Sequence, residues 1–325
     1  MNITSSNHNI IVLILAATID YFLGDPKQWI HPTMVMGIVI RKLTQWSLSL
    51  TAKQEYRRYL GIFLNLLLVL GSGLIAWLVV YLSHKISSLI GIIVESIFLS
   101  SCFATRSLRN AAEEVLQASQ QSVFQMRRSL SQYVGRDTKK LTMIEGLRAL
   151  LETVAENTTD GVTAPLFYAL LGGLLMPIGP ASLAISYKAI STLDSMIGYK
   201  KEPYTYLGWF SARLEDHFTW IPCRLTVLTL ALLSGKPKDV MKICLRDGPK
   251  DPSPNSGWSE SVYAAILNIQ LGGTNYYQGI KIEKPLLGED LETISIVKVN
   301  ESLQLMRNCF IVWLIIGIFI ISVLN

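Results

Sequence analysis

A long apolar run, Ile62 to Leu82, limits what this chain can fold into, because it contains no charged side chain. About 20 such residues are needed for an α-helix to cross the hydrocarbon core of a bilayer. Lipid offers no partners to backbone N–H and C=O groups, so a crossing segment has to be helical. The composition agrees, with 50% hydrophobic and 16% charged residues, whereas about a quarter of the residues in a soluble domain are charged. We predict an all-α, polytopic integral membrane protein.

Further apolar runs divide the chain, and we expect all of residues 1–325 to form one membrane-embedded domain. The predicted spans lie near residues 9–23, 62–82, 88–104 and 309–324. Residues 164–186 are also apolar, but Gly172-Gly173 and Pro177–Pro180 break them into halves too short to span alone. We interpret them as a re-entrant pair of broken helices, which is allowed where protein buries the broken backbone. Residues 221–233 form a short apolar segment that contains Arg224.

Basic residues indicate the orientation. The connection after the first span is read as a loop, and it carries Arg41, Lys42, Lys53, Arg57 and Arg58. Cytoplasmic loops carry an excess of Lys and Arg, so this loop is predicted to be cytoplasmic. The polar section from 105 to about 161 is basic too, and the re-entrant interpretation keeps the polar residues after 186 on the same side. We therefore predict helical loops on the cytoplasmic face of the cell (inner) membrane.

The polar section ends in a stretch with the periodicity of an amphipathic helix. Glu145, Arg148, Glu152 and Glu156 fall on one face, and the other face is apolar, formed by Ile144, Leu147, Leu150, Leu151 and Val154. Carboxylates four residues apart repel, so Glu152 and Glu156 call for a compensating metal ion or arginine. A solvated polar face is the alternative.

Acids and arginines recur in the polar segments. Two more acids and a histidine lie at the end of the first span, namely Asp20, Asp25 and His31. Mg²⁺ takes oxygen ligands and is commonly bound by carboxylates and phosphates together. Arginine binds phosphate oxygens bidentately. This inventory is typical of a site for a metal-bound nucleotide or pyrophosphate. The chain has no G-x-x-x-x-G-K-[ST] motif. Its four cysteines and four histidines show no metal-ligand or disulfide spacing, and it has no basic run interleaved with aromatics, so nucleic-acid binding is not expected.

Many separated motifs carry a resemblance to a known family. They are Asp20 to Asp25 with His31-Pro32, Ala104–Leu108, Val134–Thr138, Glu152–Asn157, Asp160–Val162, Ala164–Tyr168, Thr192–Met196, Ser211–Leu214, Ser253–Asn255 and Leu271–Gly273. In this order they resemble the adenosylcobinamide-phosphate synthases, membrane enzymes of cobalamin (vitamin B12) biosynthesis. The match covers nearly the whole chain.

The resemblance implies an ATP-dependent acid–amine ligase. Its corrinoid substrate would be adenosylcobyric acid, joined to 1-aminopropan-2-ol or its phosphate to give adenosylcobinamide (phosphate), with Mg²⁺ and ATP required and other corrin-pathway enzymes as possible partners. The catalytic candidates are Glu152, Glu156, Asp160 and Asp194. The metal candidates are Asp137, Glu152, Glu156 and Asp216. The candidates for binding substrate or phosphate are Arg106, Arg136, Lys188, Arg213, Arg246 and Asn255.

The sequence departs from the family pattern at Glu215, Thr219, Ser191 and Asp251. Asp251 stands where a histidine is usual and offers only acceptor oxygens when ionised, so it is given no catalytic role. Two other functions stay open from the residues alone. A transporter would use the broken helices of residues 164–186, although no internal repeat is evident. A Mg²⁺-dependent membrane transferase would use the acidic helix to hold a pyrophosphate.

Overall fold

The computed structural model describes residues 5–24, 32–50, 53–175 and 177–324. Asp25 and His31 of the sequence analysis lie outside these ranges. The described chain is mainly helical. The helices are α1 (Ser5–Phe22), α2 (Pro32–Leu50), α3 (Gln54–Ile86), α4 (Ser88–Ser100), α5 (Thr105–Gln121), α6 (Val123–Leu130), α7 (Met143–Asn157), α8 (Ala164–Leu174), α9 (Pro180–Ile197), α10 (Tyr204–Leu207), α11 (Trp209–Leu233), α12 (Pro237–Asp247), α13 (Ser256–Leu267) and α14 (Ile296–Leu324).

Three helical stretches among the described residues are long and apolar enough to cross a membrane. They are α3, the stretch Ser88–Gln121 that includes α4 and α5, and α14. α1 is apolar but shorter. α3 has 33 residues and is about 50 Å long at 1.5 Å per residue, which exceeds the roughly 30 Å hydrocarbon core.

The chain folds as two compact units, each with its own core. Unit 1 contains the described residues up to Arg106, Ala164–Thr219 and Trp313 onward, and unit 2 contains Ser107–Thr163 and Trp220–Val312. The single domain predicted for residues 1–325 stays a prediction beside this division.

Helix packing in unit 1 depends on small residues. A Cβ at Gly73 of α3 would lie 2.1 Å from Ser186 Oγ of α9, and a Cβ at Gly61 would lie 2.0 Å from the carbonyl oxygen of Leu207. Small residues at such points let helix backbones approach closely. Beside them a buried cluster joins α2, α3 and α9 through Ile40, Leu64, Leu193 and Ile197.

The predicted break in residues 164–186 is confirmed. α8 ends at Leu174, and α9 begins at Pro180 after Gly179, whose φ of +81° suits glycine. A Cβ at Gly172 would lie 2.3 Å from the Gly179 carbonyl oxygen, so the two helices turn back tightly on each other. The re-entrant position of this pair in a membrane stays a prediction.

Unit 2 contains a β-hairpin that the all-α prediction did not include. β1 (Gln270–Tyr277) and β2 (Ile280–Gly288) pair antiparallel, with a bulge between Leu271 and Gly273. Gln278 and Gly279 connect them with φ of +54° and +81°, as in the two-residue turns that match strand twist. The hairpin packs against α7 and α13.

The predicted basic loop and the short apolar segment are both largely helical. The predicted basic loop is helical over most of its length, because Arg41 and Lys42 lie in α2 and Arg57 and Arg58 lie in the first turns of α3. Arg and Lys are good helix formers, and a helix can continue past the membrane core. Residues 221–233 are the second half of α11, which runs on past Pro222.

Candidate functional site

The acidic helix α7 is confirmed, and its start is fixed by a capping box. Thr142 Oγ1 accepts from the Glu145 N–H, and the Glu145 carboxylate accepts from the Thr142 N–H. The faces differ from the prediction at two positions. Ile144 is exposed, whereas Glu152 is only 1% exposed, so α7 is covered on part of its predicted polar face as well.

Glu152 is held by an arginine and by the hairpin. Its Oε2 accepts a short hydrogen bond from Arg136 Nη2, and its Oε1 accepts from the Gly272 N–H at 2.9 Å. Arg136 also donates to Asn275 Oδ1 of β1 at 2.9 Å. Arg136 is thus the compensating cation that the spacing of Glu152 and Glu156 called for. Both Glu152 oxygens already have donors, and the arrangement ties α7 to the hairpin.

Glu156, one turn later, is exposed. The surrounding protein still reduces the hydration of its carboxyl. This desolvation raises the pKa of Glu156 above its usual range, and Asp251 and Glu152 act in the same direction, whereas Lys284 and Arg136 lower it. Glu156 is therefore exposed as a residue, lies near two cations, and has a carboxyl that is easier to protonate than that of an ordinary glutamate.

A second acid beside this helix face was missed by the sequence analysis. Glu260 of α13 is fully buried, with Oε1 3.2 Å from Lys284 Nζ of β2 and Oε2 without a hydrogen-bond partner. Burial raises the pKa of Glu260, and the nearby Glu152 and Glu156 raise it further. The only hint in the sequence was that Glu260 is the one charged residue of α13.

Asp160 follows α7 in a π-helical turn, Thr158–Thr163. Wide turns of this kind are frequent at functional sites. Three threonines of the turn hold it in place, with Thr158 bonded to the Tyr263 hydroxyl, Thr159 to Ser259 and Thr163 to Thr226. The turn changes the helical register, so Asp160 is half-buried near the Cys223 thiol, whose pKa it helps to raise.

Three other candidates in unit 2 are engaged in structural contacts. Asp137 accepts from the backbone N–H groups of Gln278 and Gly279, and so it holds the hairpin turn. Arg246 binds Asp247 and Glu289. Asn255 Oδ1 accepts from Arg224 at 3.1 Å, and Trp220 and Trp258 flank that guanidinium.

The remaining candidates lie in unit 1. The aliphatic part of the Arg106 side chain packs against Gly24, and Asp194 Oδ1 lies against Gly198. Lys188 is half-buried in α9. In α11, Arg213 is exposed and lies near Asp216. Desolvation raises the pKa of Asp216, although Arg213, His217 and Lys200 lower it.

Two of the unusual residues have structural roles. Thr219 forms a hydrogen bond with the Tyr187 hydroxyl at 2.8 Å and donates a short hydrogen bond to Glu215. Asp251 Oδ1 accepts from the Ser253 N–H and from the Ser256 hydroxyl, which orders the loop before α13.

The motifs of this site belong to a defined family. A family model described as "CobD/Cbib protein" matches residues 13–306, most of the chain. The chain belongs to the CobD/Cbib family. This confirms the resemblance drawn from the separated motifs.

Curated relatives of this CobD/Cbib chain match along nearly their full length. "Cobalamin biosynthesis protein CobD" of Synechocystis sp. is 53% identical over 96% of this chain and 92% of its own. The protein of the same name from Halalkalibacterium halodurans is 39% identical, over 94% and 95%. "Cobalamin biosynthesis protein CbiB" of Salmonella typhimurium is 36% identical, over 91% and 92%. No solved structure matches the chain.

Proposed function

We propose that this CobD/Cbib protein acts in cobalamin biosynthesis as an ATP-dependent ligase of the cell membrane. Its acid substrate is adenosylcobyric acid, its amine is 1-aminopropan-2-ol or the corresponding phosphate, and its product is adenosylcobinamide or the phosphate of it. The names of the curated relatives support the pathway, and the apolar helices support the membrane.

The observation that carries the reaction type is the environment of Glu156. An exposed glutamate near Lys284 combines an acidic ligand with a cation that attracts phosphate oxygens. A ligase of this type needs an acidic ligand for the metal and a cation for phosphate, because the substrate carboxylate resists attack by an amine until the negative charge of the carboxylate is neutralised.

Glu156 fits Mg²⁺, because it is an exposed residue with carboxylate oxygens to offer. Glu152 and Asp137 fit less well, since their oxygens accept from Arg136 and from backbone N–H groups. When bound, Mg²⁺ supplies charge neutralisation at phosphate oxygens. In this assignment Glu152 and Arg136 position α7, and Arg213, Lys188 and Asp194 keep the substrate-binding and proton-transfer roles that the family resemblance implies.

The proposed reaction has two steps, phosphorylation of the acid and attack of the amine. A propionate oxygen of the corrinoid attacks the γ-phosphorus of ATP, and ADP leaves. The amine nitrogen then attacks the activated carbonyl carbon, inorganic phosphate leaves with the carboxyl oxygen, and the ammonium gives up two protons in all. Asp194 is the proposed acceptor of the first proton. Other corrin-pathway enzymes are proposed to supply the acid and to take the amide.

The test is mass spectrometry of products. Detergent-purified protein is incubated with adenosylcobyric acid, ATP, Mg²⁺ and either amine, and we expect the amide and one ADP per amide formed. Omission of ATP or of Mg²⁺ should abolish formation of the amide. Absence of product with both amines, from folded protein, would contradict the ligase and favour a transporter.

Glu156→Gln tests the residue assignment. The amide keeps the size of the side chain and removes the charge, so we expect at least a 100-fold loss of turnover with an unchanged thermal midpoint. Glu113→Gln, which changes a partly exposed acid paired with Arg109, is the matched control and should retain turnover. Normal turnover of Glu156→Gln would refute the role of Glu156.

A further inference from the structure

Two histidines and a glutamate from three different helices meet in unit 1. They are His8 of α1, His84 near the end of α3 and Glu95 of α4, and their ligand atoms all lie within 4.8 Å of one another. His8 Nε2 is 2.8 Å from Glu95 Oε2, and the two imidazole rings meet edge to face with centroids 4.8 Å apart. None of these residues belongs to the motifs assigned to the ligase.

Glu95 is buried, and the backbone of α9 orients its carboxylate on the side away from His8. Glu95 is 2% exposed, and its Oε1 lies 3.5 Å from the Ala181 N–H in the first turn of α9. The positive end of the α9 dipole favours an anion there. One oxygen therefore faces the α9 backbone, and the other points at His8. Secondary contacts of this kind orient metal-ligating carboxylates.

The second histidine sits against a glycine. A Cβ at Gly91 of α4 would lie 2.3 to 2.4 Å from three atoms of the His84 ring. Gly91 thus leaves the space that lets His84 approach Glu95 across the short connection between α3 and α4.

A simple ion pair does not account for all three side chains. One protonated imidazole is enough to balance Glu95, and a second protonated imidazole beside it would add repulsion between like charges. Two neutral imidazoles and one carboxylate are, by contrast, a common ligand set for Zn²⁺. Zinc bonds of about 2.0–2.1 Å place tetrahedral ligand atoms about 3.3 Å apart, and the ligand atoms of this cluster lie within 4.8 Å of one another without a metal.

A cavity adjoins the cluster and leaves room for a further ligand. It has a volume of about 400 Å³ and is lined by the three residues together with Trp77, Tyr81 and Ser88, among others. Trp77 Nε1 donates to the Pro177 carbonyl at 3.0 Å, which fixes one wall. Three protein ligands with one open position distinguish a reactive zinc site from a closed structural one.

We propose that His8, His84 and Glu95 form a binding site for a divalent first-row transition metal of the Zn²⁺ type. The fourth position faces the cavity and takes water or a small anionic ligand. Imidazole ligands favour Zn²⁺ over Mg²⁺, so this site is separate from the oxygen ligands of Glu156. It links α1 to the α3–α4 pair and does not depend on the proposed ligase activity.

The test uses the full chain without an affinity tag, purified in detergent and treated with a chelator. Zn²⁺ alone is added, excess metal is removed, and elemental analysis is expected to find one Zn²⁺ per chain. Co²⁺ should give the visible absorption of a tetrahedral complex. His84→Asn and Glu95→Gln are each expected to weaken Zn²⁺ binding about 100-fold or more, and Gly91→Ala, which keeps all three ligands, about 10- to 100-fold.

His217→Asn, which changes an exposed histidine of α11, is the matched control and should bind Zn²⁺ like the unmodified chain. Circular dichroism and gel filtration establish that each variant is folded. If His84→Asn or Glu95→Gln does not fold, His8→Asn replaces it, because His8 is partly exposed. Zn²⁺ binding that is absent from the unmodified chain, or that is unchanged in a folded ligand variant, would overturn the proposal.

Discussion

Glu152 and Glu156 are one helical turn apart, and their surroundings give them different chemistry. Glu152 is closed in by Arg136 and the Gly272 N–H, whereas Glu156 is exposed. A periodic pattern places both on one face of α7, but it contains no information about what covers that face. The side chain with free access is the one suited to bind a substrate or metal, and the enclosed one is suited to hold the fold.

Glu152→Gln is therefore expected to act mainly on stability. It leaves the Arg136 guanidinium, only 7% exposed, without its anion, and breaking a buried pair in this way costs about 3–5 kcal/mol. We expect a clearly lower thermal midpoint in detergent. Glu113→Gln, which removes an exposed pair worth about 0.3–0.5 kcal/mol, should be nearly neutral. A Glu152→Gln variant as stable as the unmodified chain, but with lost Mg²⁺-dependent turnover, would support the metal role first predicted for Glu152.

Helix α7 and the hairpin show what the sequence reveals about single elements. The helix was predictable because its apolar residues repeat at helical spacing and Thr142 precedes Glu145 by three positions. The hairpin had a weaker signal, a Gln278-Gly279 turn between strands of mixed polarity. Glu260 and Lys284 meet only because the hairpin returns over α13, and His8 and Glu95 are 87 positions apart. Contacts across such distances leave no local spacing to detect.

Asp247 joins several elements at the end of α12. Its carboxylate accepts from Arg246, from Lys250 and from the Gly288 N–H at the end of β2. Burial acts to raise the pKa of Asp247, but these donors outweigh it and hold the pKa well below its usual range. A depressed pKa in the folded state means that the ionised group stabilises the fold above the unfolded pKa of about 3.9. This contribution is lost as the pH falls through the folded value.

Asp247→Asn should thus lower the thermal midpoint near neutral pH and remove part of its decline between about pH 5 and pH 3. The measurement is a series of thermal midpoints in detergent across that range. Glu289→Gln, at the exposed end of the same network, is the control and should change the midpoint little. Parallel curves for Asp247→Asn and the unmodified chain would contradict the assignment.

At the scale of the whole molecule, the charges flanking α3 predict how the chain lies in the membrane. Arg57 and Arg58 lie near its first residues and Lys85 near its last. The larger positive charge favours the cytoplasm for the start of α3. In this predicted orientation α4 returns the chain to the cytoplasmic side, where α5 begins, and the end of α3 with His84 lies outside.

Cysteine labelling in intact cells tests this orientation. The native cysteines, Cys102, Cys223, Cys244 and Cys309, are all buried, so their background reaction should be low. Lys85→Cys, at an exposed position, is expected to react with a membrane-impermeant maleimide without permeabilisation. Glu113→Cys, at a partly exposed position of α5, should react only after permeabilisation, because Glu113 follows the apolar part of the crossing stretch Ser88–Gln121. The reverse pattern would place α5 outside the cell and would contradict the predicted orientation.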